Sequence, residues 1–202
     1  MNIGTVQAIR KIVLLIGIVA GIFIFAVTDS ATVSGETVHE MIEWVGIVLI
    51  VVCILGRTWS SLYIGGRKIE TLTVRGPYSV TRNPLYFFSV IGAAGVGAQT
   101  GSAVLGLICA ALAFVVFHVV VLQEEKLLLN LHGESYAAYM RKVPRFFPRP
   151  SLWHDEKTLT IFPARVLMTF ADAMVFLLAV PLAELFEHLR AAGIIPTLLV
   201  LP

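Results

Sequence analysis

Residues Ala103 to Leu122 read AVLGLICAALAFVVFHVVVL, an apolar run without one charged side chain. A hydrocarbon core about 30 Å thick takes roughly 20 such residues as a helix, because only a helix satisfies its own backbone in lipid. This stretch therefore reads as a membrane span. Working outward, three more runs come near that length: Ile12 to Val27, Met41 to Leu55 and Val166 to Leu185. Leu85 to Ala98 is apolar but short, and its Gly92, Gly95 and Gly97 allow a close backbone approach to a neighbouring helix. Gln99-Thr100-Gly101-Ser102 supplies a tight turn, so this segment and Ala103 to Leu122 form a helical hairpin. The expected fold class is all-α, an integral membrane protein of about five transmembrane helices.

Composition agrees. Apolar residues make up 57% and charged residues 14%, with a mean hydropathy of +0.87, whereas soluble domains carry about 25% charged residues. A net charge of +2 leaves no electrostatic footprint for nucleic acid. The two cysteines, Cys53 and Cys109, sit inside apolar runs and imply neither a disulfide framework nor a thiolate zinc site. His132-Gly133-Glu134 lacks the i, i+4 histidine pair of a zincin, so no metal site is expected.

The basic residues set an expected orientation. Arg10 and Lys11 precede the first span. Arg57, Arg67, Lys68, Arg75 and Arg82 fall between the second and third, and seven more fall between the fourth and fifth. With five crossings these segments share one side, the cytosol, and of fifteen Lys and Arg only Arg190 lies elsewhere. The N-terminus is then cytosolic and the C-terminus is not. A signal peptide is the competing reading of the first span, and the charge pattern favours a retained helix. The tail from Ala192 to Pro202 is too short to span and is expected at the interface or against the bundle.

Two of the cytosolic segments are richer in polar and aromatic residues than connecting loops need to be. The first contains Gly76-Pro77-Tyr78 and Arg82-Asn83-Pro84-Leu85-Tyr86. Pro84 suits the first turn of a helix, which puts Arg82, Asn83 and free amides at the membrane surface, a setting for an anionic group. The same residues also read as an interfacial anchor, with Tyr78 and Tyr86 as belt aromatics. The second begins with Glu124 and Glu125 at the end of an apolar helix, where the dipole disfavours acids and a cation must compensate them. His118, seven residues before Glu125, shares about the same face, and a backbone hydrogen bond is its simplest role. Gly133 ends one helix, and a short second one from Glu134 to Arg141 stops before Pro144. Tyr136, Tyr139 and Met140 share a face of it, as packing or as the wall of a pocket for a base and a sulfonium. Asp172, deep in the last span, is expected to face the bundle or a cavity.

Taken together, Gly76-Pro77-Tyr78, Arg82-Asn83-Pro84-Leu85-Tyr86, Glu124-Glu125 with Leu128, Gly133 with Tyr136 and Tyr139, and Val143-Pro144-Arg145 resemble the isoprenylcysteine carboxyl methyltransferase-like family, which is related to the phospholipid N-methyltransferases. Asn83 stands where that family most often has His, so an acid or base role does not carry over to it. The resemblance implies one membrane methyltransferase domain over residues 1–202, with a cofactor-binding core at 72–148 on the cytosolic side. It further implies S-adenosyl-L-methionine as cofactor, held by Tyr78, Arg82, Asn83, Pro84, Tyr86, Glu124, Glu125, Tyr136 and Tyr139. Arg82, Arg145 and Tyr86 are the implied catalytic residues.

The expected acceptor is a lipidic or prenylated small molecule, first an isoprenylcysteine carboxylate, then a phospholipid amine, then a small thiol. The competing classes are an NADPH-dependent membrane sterol-type reductase and a non-enzymatic membrane scaffold. The residues leave the acceptor and the oligomeric state open.

Overall fold

The computed structural model describes residues 21–23, 26, 28–30, 36–64 and 72–201. The first expected span, Ile12 to Val27, therefore lies mostly outside the described residues.

Helix α1 (Glu36–Ile64) is 29 residues long, well beyond the Met41 to Leu55 expected from hydropathy. Thr58, Ser60 and Ser61 donate their hydroxyls to the carbonyls of Ile54, Gly56 and Thr58, each at 2.7 Å. Polar side chains satisfied in this way do not end a helix. Arg57 consequently belongs to α1 and not to a loop.

A single short turn, α2 (Pro77–Val80), leads to α3 (Pro84–Ala98). Proline opens both, as its fixed φ and missing N–H allow at a first turn. The turn at 99–101 closes the hairpin with α4 (Ala103–Lys142), whose Ser102 cap accepts from the Leu105 amide at 3.2 Å. Gly133, at φ 53° and ψ −128°, breaks α4 as its sequence predicts. The last apolar stretch runs as α5 (Pro163–Met174), a 3₁₀ turn over Val175–Leu178, and α6 (Ala179–Ala191).

Residues 37–64, 103–142 and 163–191 are long and apolar enough to cross a membrane, and Pro84–Ala98 is a shorter apolar helix. The fold is thus that of an all-α membrane protein. The chain's outward apolar side chains, among them Trp44, Val48, Leu107, Val115 and Leu167, are exposed, as a lipid-facing surface requires. The small departure from all-helix is a parallel pair of three-residue strands, β1 (Thr28–Ser30) and β2 (Leu199–Leu201), which ties the C-terminal tail to the segment ahead of α1.

Helix α3 packs between α1 and α4, and α5 packs on α1. Glycine makes the α1–α3 crossing close: a Cβ on Gly95 would lie 2.6 Å from the Gly46 carbonyl, and one on Gly46 would lie 2.9 Å from the Gly95 carbonyl. Asp172 departs from expectation. It lies exposed on α5, while its neighbour Ala173 is fully buried, because the crossing on α1 takes the smaller side chain.

The bundle has two chemically distinct ends. The N-terminal turns of α1, the 99–102 turn and α6 enclose a cavity of about 520 Å³ lined by His39, Glu43, Gln99, Glu184 and Glu187. None of the residues implied as a cofactor site borders it. Those residues gather at the other end, around the C-terminal turns of α1.

Candidate active site

Glu125 ends the apolar part of α4 and is only 4% exposed. Its Oε1 lies 3.1 Å from Arg82 Nε, and its Oε2 accepts from Arg145 Nε at 3.0 Å and lies 3.0 Å from Arg145 Nη2. Three distant segments therefore meet on one carboxylate. This is the compensation that a buried carboxylate needs, since α4 runs on past Glu125 to its break at Gly133. Arg82 is as deeply buried as Glu125, with side-chain exposures of 7% and 5%, whereas Arg145 keeps 33%. Arg145 is the outer of the two and keeps part of its side chain exposed.

Backbone contacts hold both arginines. Arg82 Nη1 donates to the Met140 carbonyl at 3.2 Å, and its amide donates to that of Pro144 at 2.9 Å. Asn83 Nδ2 donates to the Arg145 carbonyl at 3.1 Å. Thr81 Oγ1 donates to the Phe146 carbonyl at 2.9 Å. Asn83 is thus a positioning side chain here, a task that needs an N–H but no charge. Pro84 is buried and opens α3.

Beside this cluster Tyr86 donates to Glu124 Oε1 at 2.9 Å and packs its ring on Phe117 at 5.0 Å. Tyr139 donates to the Tyr78 carbonyl at 2.7 Å. Tyr136 and Tyr139 pack with Val143 and, around them, Leu72, Val74 and Leu128. The tyrosine face that follows Gly133 is therefore a wall that pins α2 to α4. The Tyr78 hydroxyl is buried and has no hydrogen-bond partner among the described residues. Burial, then the nearby Tyr139, Glu124 and Tyr86, push this phenol well above its ordinary value, so it stays a neutral donor.

His118 lies against Phe146, with ring centroids 6.0 Å apart and an interplanar angle of 21°. Its Nδ1 is buried without a hydrogen-bond partner among the described residues, so the backbone hydrogen bond expected for it is not seen at that nitrogen.

Several contributors were not identified from sequence. Arg57 of α1 donates through Nη1 to the hydroxyl of buried Ser89 on α3. A strap following Arg145 covers α2: the Arg149 amide donates to the Val80 carbonyl and the Gly76 amide to the His154 carbonyl, both at 2.9 Å. Trp153 stacks on Trp59 at 5.7 Å, Tyr63 donates to Asp155 at 2.5 Å, and Arg75 pairs with Glu156. Trp153 ahead of His154-Asp155-Glu156 was the available signal, since a tryptophan in a charged loop wants a surface to cover.

The donor set fits the polar groups of S-adenosylmethionine. Glu124 suits an ammonium or a ribose hydroxyl, Glu125 being engaged by the two arginines, and the buried Tyr78 hydroxyl suits an oxygen acceptor. Among the described residues no group of three or more His, Cys, Asp and Glu side chains is placed to hold a metal ion.

Comparison with known proteins supplies an independent line. A family model described as phospholipid methyltransferase matches residues 41–135. The nickel-cobalt-cadmium resistance protein NccN of Alcaligenes xylosoxydans xylosoxydans is 33% identical over 185 residues, covering 92% of this chain and 86% of NccN. The cobalt-zinc-cadmium resistance protein CzcN of Cupriavidus metallidurans is 35% identical over 162 residues, covering 80% of this chain and 74% of CzcN. No solved structure matches.

Proposed function

We propose that the chain, which belongs to one family with NccN and CzcN and matches the phospholipid methyltransferase model over residues 41–135, is an S-adenosylmethionine-dependent membrane methyltransferase whose acceptor enters from the bilayer. The observation that carries this reading is the convergence of Arg82 and Arg145 on Glu125, beside Glu124 and Tyr86, where an apolar helix leaves the membrane.

S-adenosylmethionine supplies a methyl group already activated by its sulfonium. The chain's own residues position the reactants and exclude water. Glu125 fixes the two arginines. Arg82 stays buried on it, and the more exposed Arg145 orients the reacting group of the acceptor. Tyr86 and Glu124 form the polar floor, and Tyr78, Tyr136 and Tyr139 the wall. An ionised carboxylate acceptor needs no base, which favours an isoprenylcysteine-like substrate over a phospholipid amine and a small thiol. The site faces the cytosol of a five-span protein with a cytosolic N-terminus. The names of the two relatives support a setting in resistance to nickel, cobalt, zinc or cadmium, and a strain lacking the gene should then be more sensitive to those ions.

The first experiment is a calorimetric titration with S-adenosylmethionine, S-adenosylhomocysteine and NADPH. The expected result is binding of S-adenosylhomocysteine at low micromolar Kd, about 8 kcal/mol. NADPH binding alone would indicate a reductase, and no binding at all a scaffold. Tritiated-methyl transfer in nanodiscs to N-acetyl-farnesylcysteine, shorter prenyl analogues and phosphatidylethanolamine then reads the acceptor. Efficiency should rise with tail length, and transfer to a water-soluble thiol alone would overturn a lipidic acceptor.

A further inference from the structure

Arg57 is a membrane-helix arginine near the site that no carboxylate pairs with among the described residues. It stands seven residues before the end of α1, about 10 Å along the helix axis from Ile64. Its Nη1 donates to Ser89, whose own hydroxyl proton is committed to the Leu85 carbonyl at 2.8 Å. Its Nε is buried with no partner, and among the described residues no acidic side chain forms an ion pair with it. A guanidinium inside a membrane helix is costly unless something accepts its hydrogen bonds.

A second orphan donor lies nearby. The buried Tyr78 hydroxyl has no partner either, and it lies within electrostatic range of Arg57, Glu124, Tyr86 and Tyr139. The two donors come from different elements, α1 and α2, which pack on each other. Arg82 Nε also lacks a hydrogen bond among the described residues, but its charge, like that of Arg145, faces Glu125. Among the described residues of this cluster, Arg57, Arg82 and Arg145 carry three positive charges and Glu124 and Glu125 two negative ones.

We propose that Arg57 Nε and the Tyr78 hydroxyl form an anion-binding subsite that takes one carboxylate or phosphate oxygen of a ligand. Two N–H or O–H donors with no competing acceptor describe such a site, and a single negative charge on the ligand balances the cluster. The α-carboxylate of the cofactor and an acidic group on the acceptor both supply that chemistry. The inference rests on the methyltransferase reading only for which molecule brings the anion.

Wild-type protein in detergent is first titrated with S-adenosylhomocysteine, and absence of binding there counts against the methyltransferase reading, not against the subsite. Arg57→Gln and Tyr78→Phe are then titrated with S-adenosylhomocysteine and with 5′-methylthioadenosine, which lacks the carboxylate. If the cofactor carboxylate occupies the subsite, both variants weaken S-adenosylhomocysteine by roughly 10- to 100-fold and leave methylthioadenosine unchanged. If the acceptor supplies the anion, cofactor binding is unchanged and KM rises for an acidic acceptor but not for its neutral ester or amide. For a protein that binds no nucleoside, the probe is inorganic phosphate, whose thermal stabilisation of wild type should vanish in both variants. Tyr78→Phe keeps the ring, so it remains informative where Arg57→Gln fails to fold. Equal weakening of both nucleosides, or no change in any titration, KM or phosphate shift, overturns the subsite.

Discussion

Removing the Glu125 carboxylate would leave Arg82 and Arg145 facing each other without their shared counter-charge. Breaking a buried pair in this way costs about 3–5 kcal/mol, so Glu125→Ala should lose both cofactor affinity and thermal stability, read by calorimetry and a melting scan in detergent. Arg145 is different because it is one-third exposed. Arg145→Ala should depress methyl transfer to a carboxylate acceptor far more than it weakens S-adenosylhomocysteine binding. Tyr139→Phe deletes one buried hydrogen bond, to the Tyr78 carbonyl, and should cost about 1 kcal/mol in a denaturant titration. Tyr78 adds a pH dependence. Its phenol is held above the ordinary value of 10.0, so the folded state retains a proton that the unfolded chain gives up. Stability from this group is complete below about pH 10 and declines as pH rises beyond it; Tyr78→Phe should remove that part of the alkaline slope.

Gly133 and Gly95 show why some elements were legible in sequence. Gly133, ahead of a second tyrosine-bearing helix, announced a break, and its positive φ of 53° is the reason. A Cβ there would meet nothing within 4 Å, so the cost of Gly133→Ala is purely conformational, about 1–3 kcal/mol, and should appear as loss of stability with the wall of Tyr136 and Tyr139 displaced from α2. Gly95 is the opposite case, a steric requirement. Gly95→Val would drive a side chain into Gly46 and Ile50 and should abolish a folded, monodisperse product in size-exclusion chromatography. The hairpin, its turn and the proline starts were readable because each rests on a local residue preference. The length of α1 was not, since apolarity stops at Leu55 while hydrogen bonding continues through Thr58, Ser60 and Ser61. That difference hid Arg57. The meeting of Arg82, Glu125 and Arg145 was legible only as three motifs, because no sequence pattern states which arginine reaches which acid.

At the scale of the molecule, the acidic cavity near His39 and Glu43 and the arginine-rich site occupy opposite ends of the bundle. Reporter fusions next to Arg75 and at the C-terminus should give opposite signals, and like signals would overturn five crossings. The strap has a consequence in time. Helix α2 forms early in synthesis, yet its Gly76 amide is satisfied by His154, and Arg75 by Glu156, about eighty residues later. Until that stretch leaves the ribosome, the nascent chain can insert its hairpin but cannot close the walls of its site. A product truncated before Trp153 would then sit in the membrane as an inserted but ligand-blind helical bundle, open to surveillance proteases at α2. Ligand protection against proteolysis should accordingly appear only in chains that extend past Glu156.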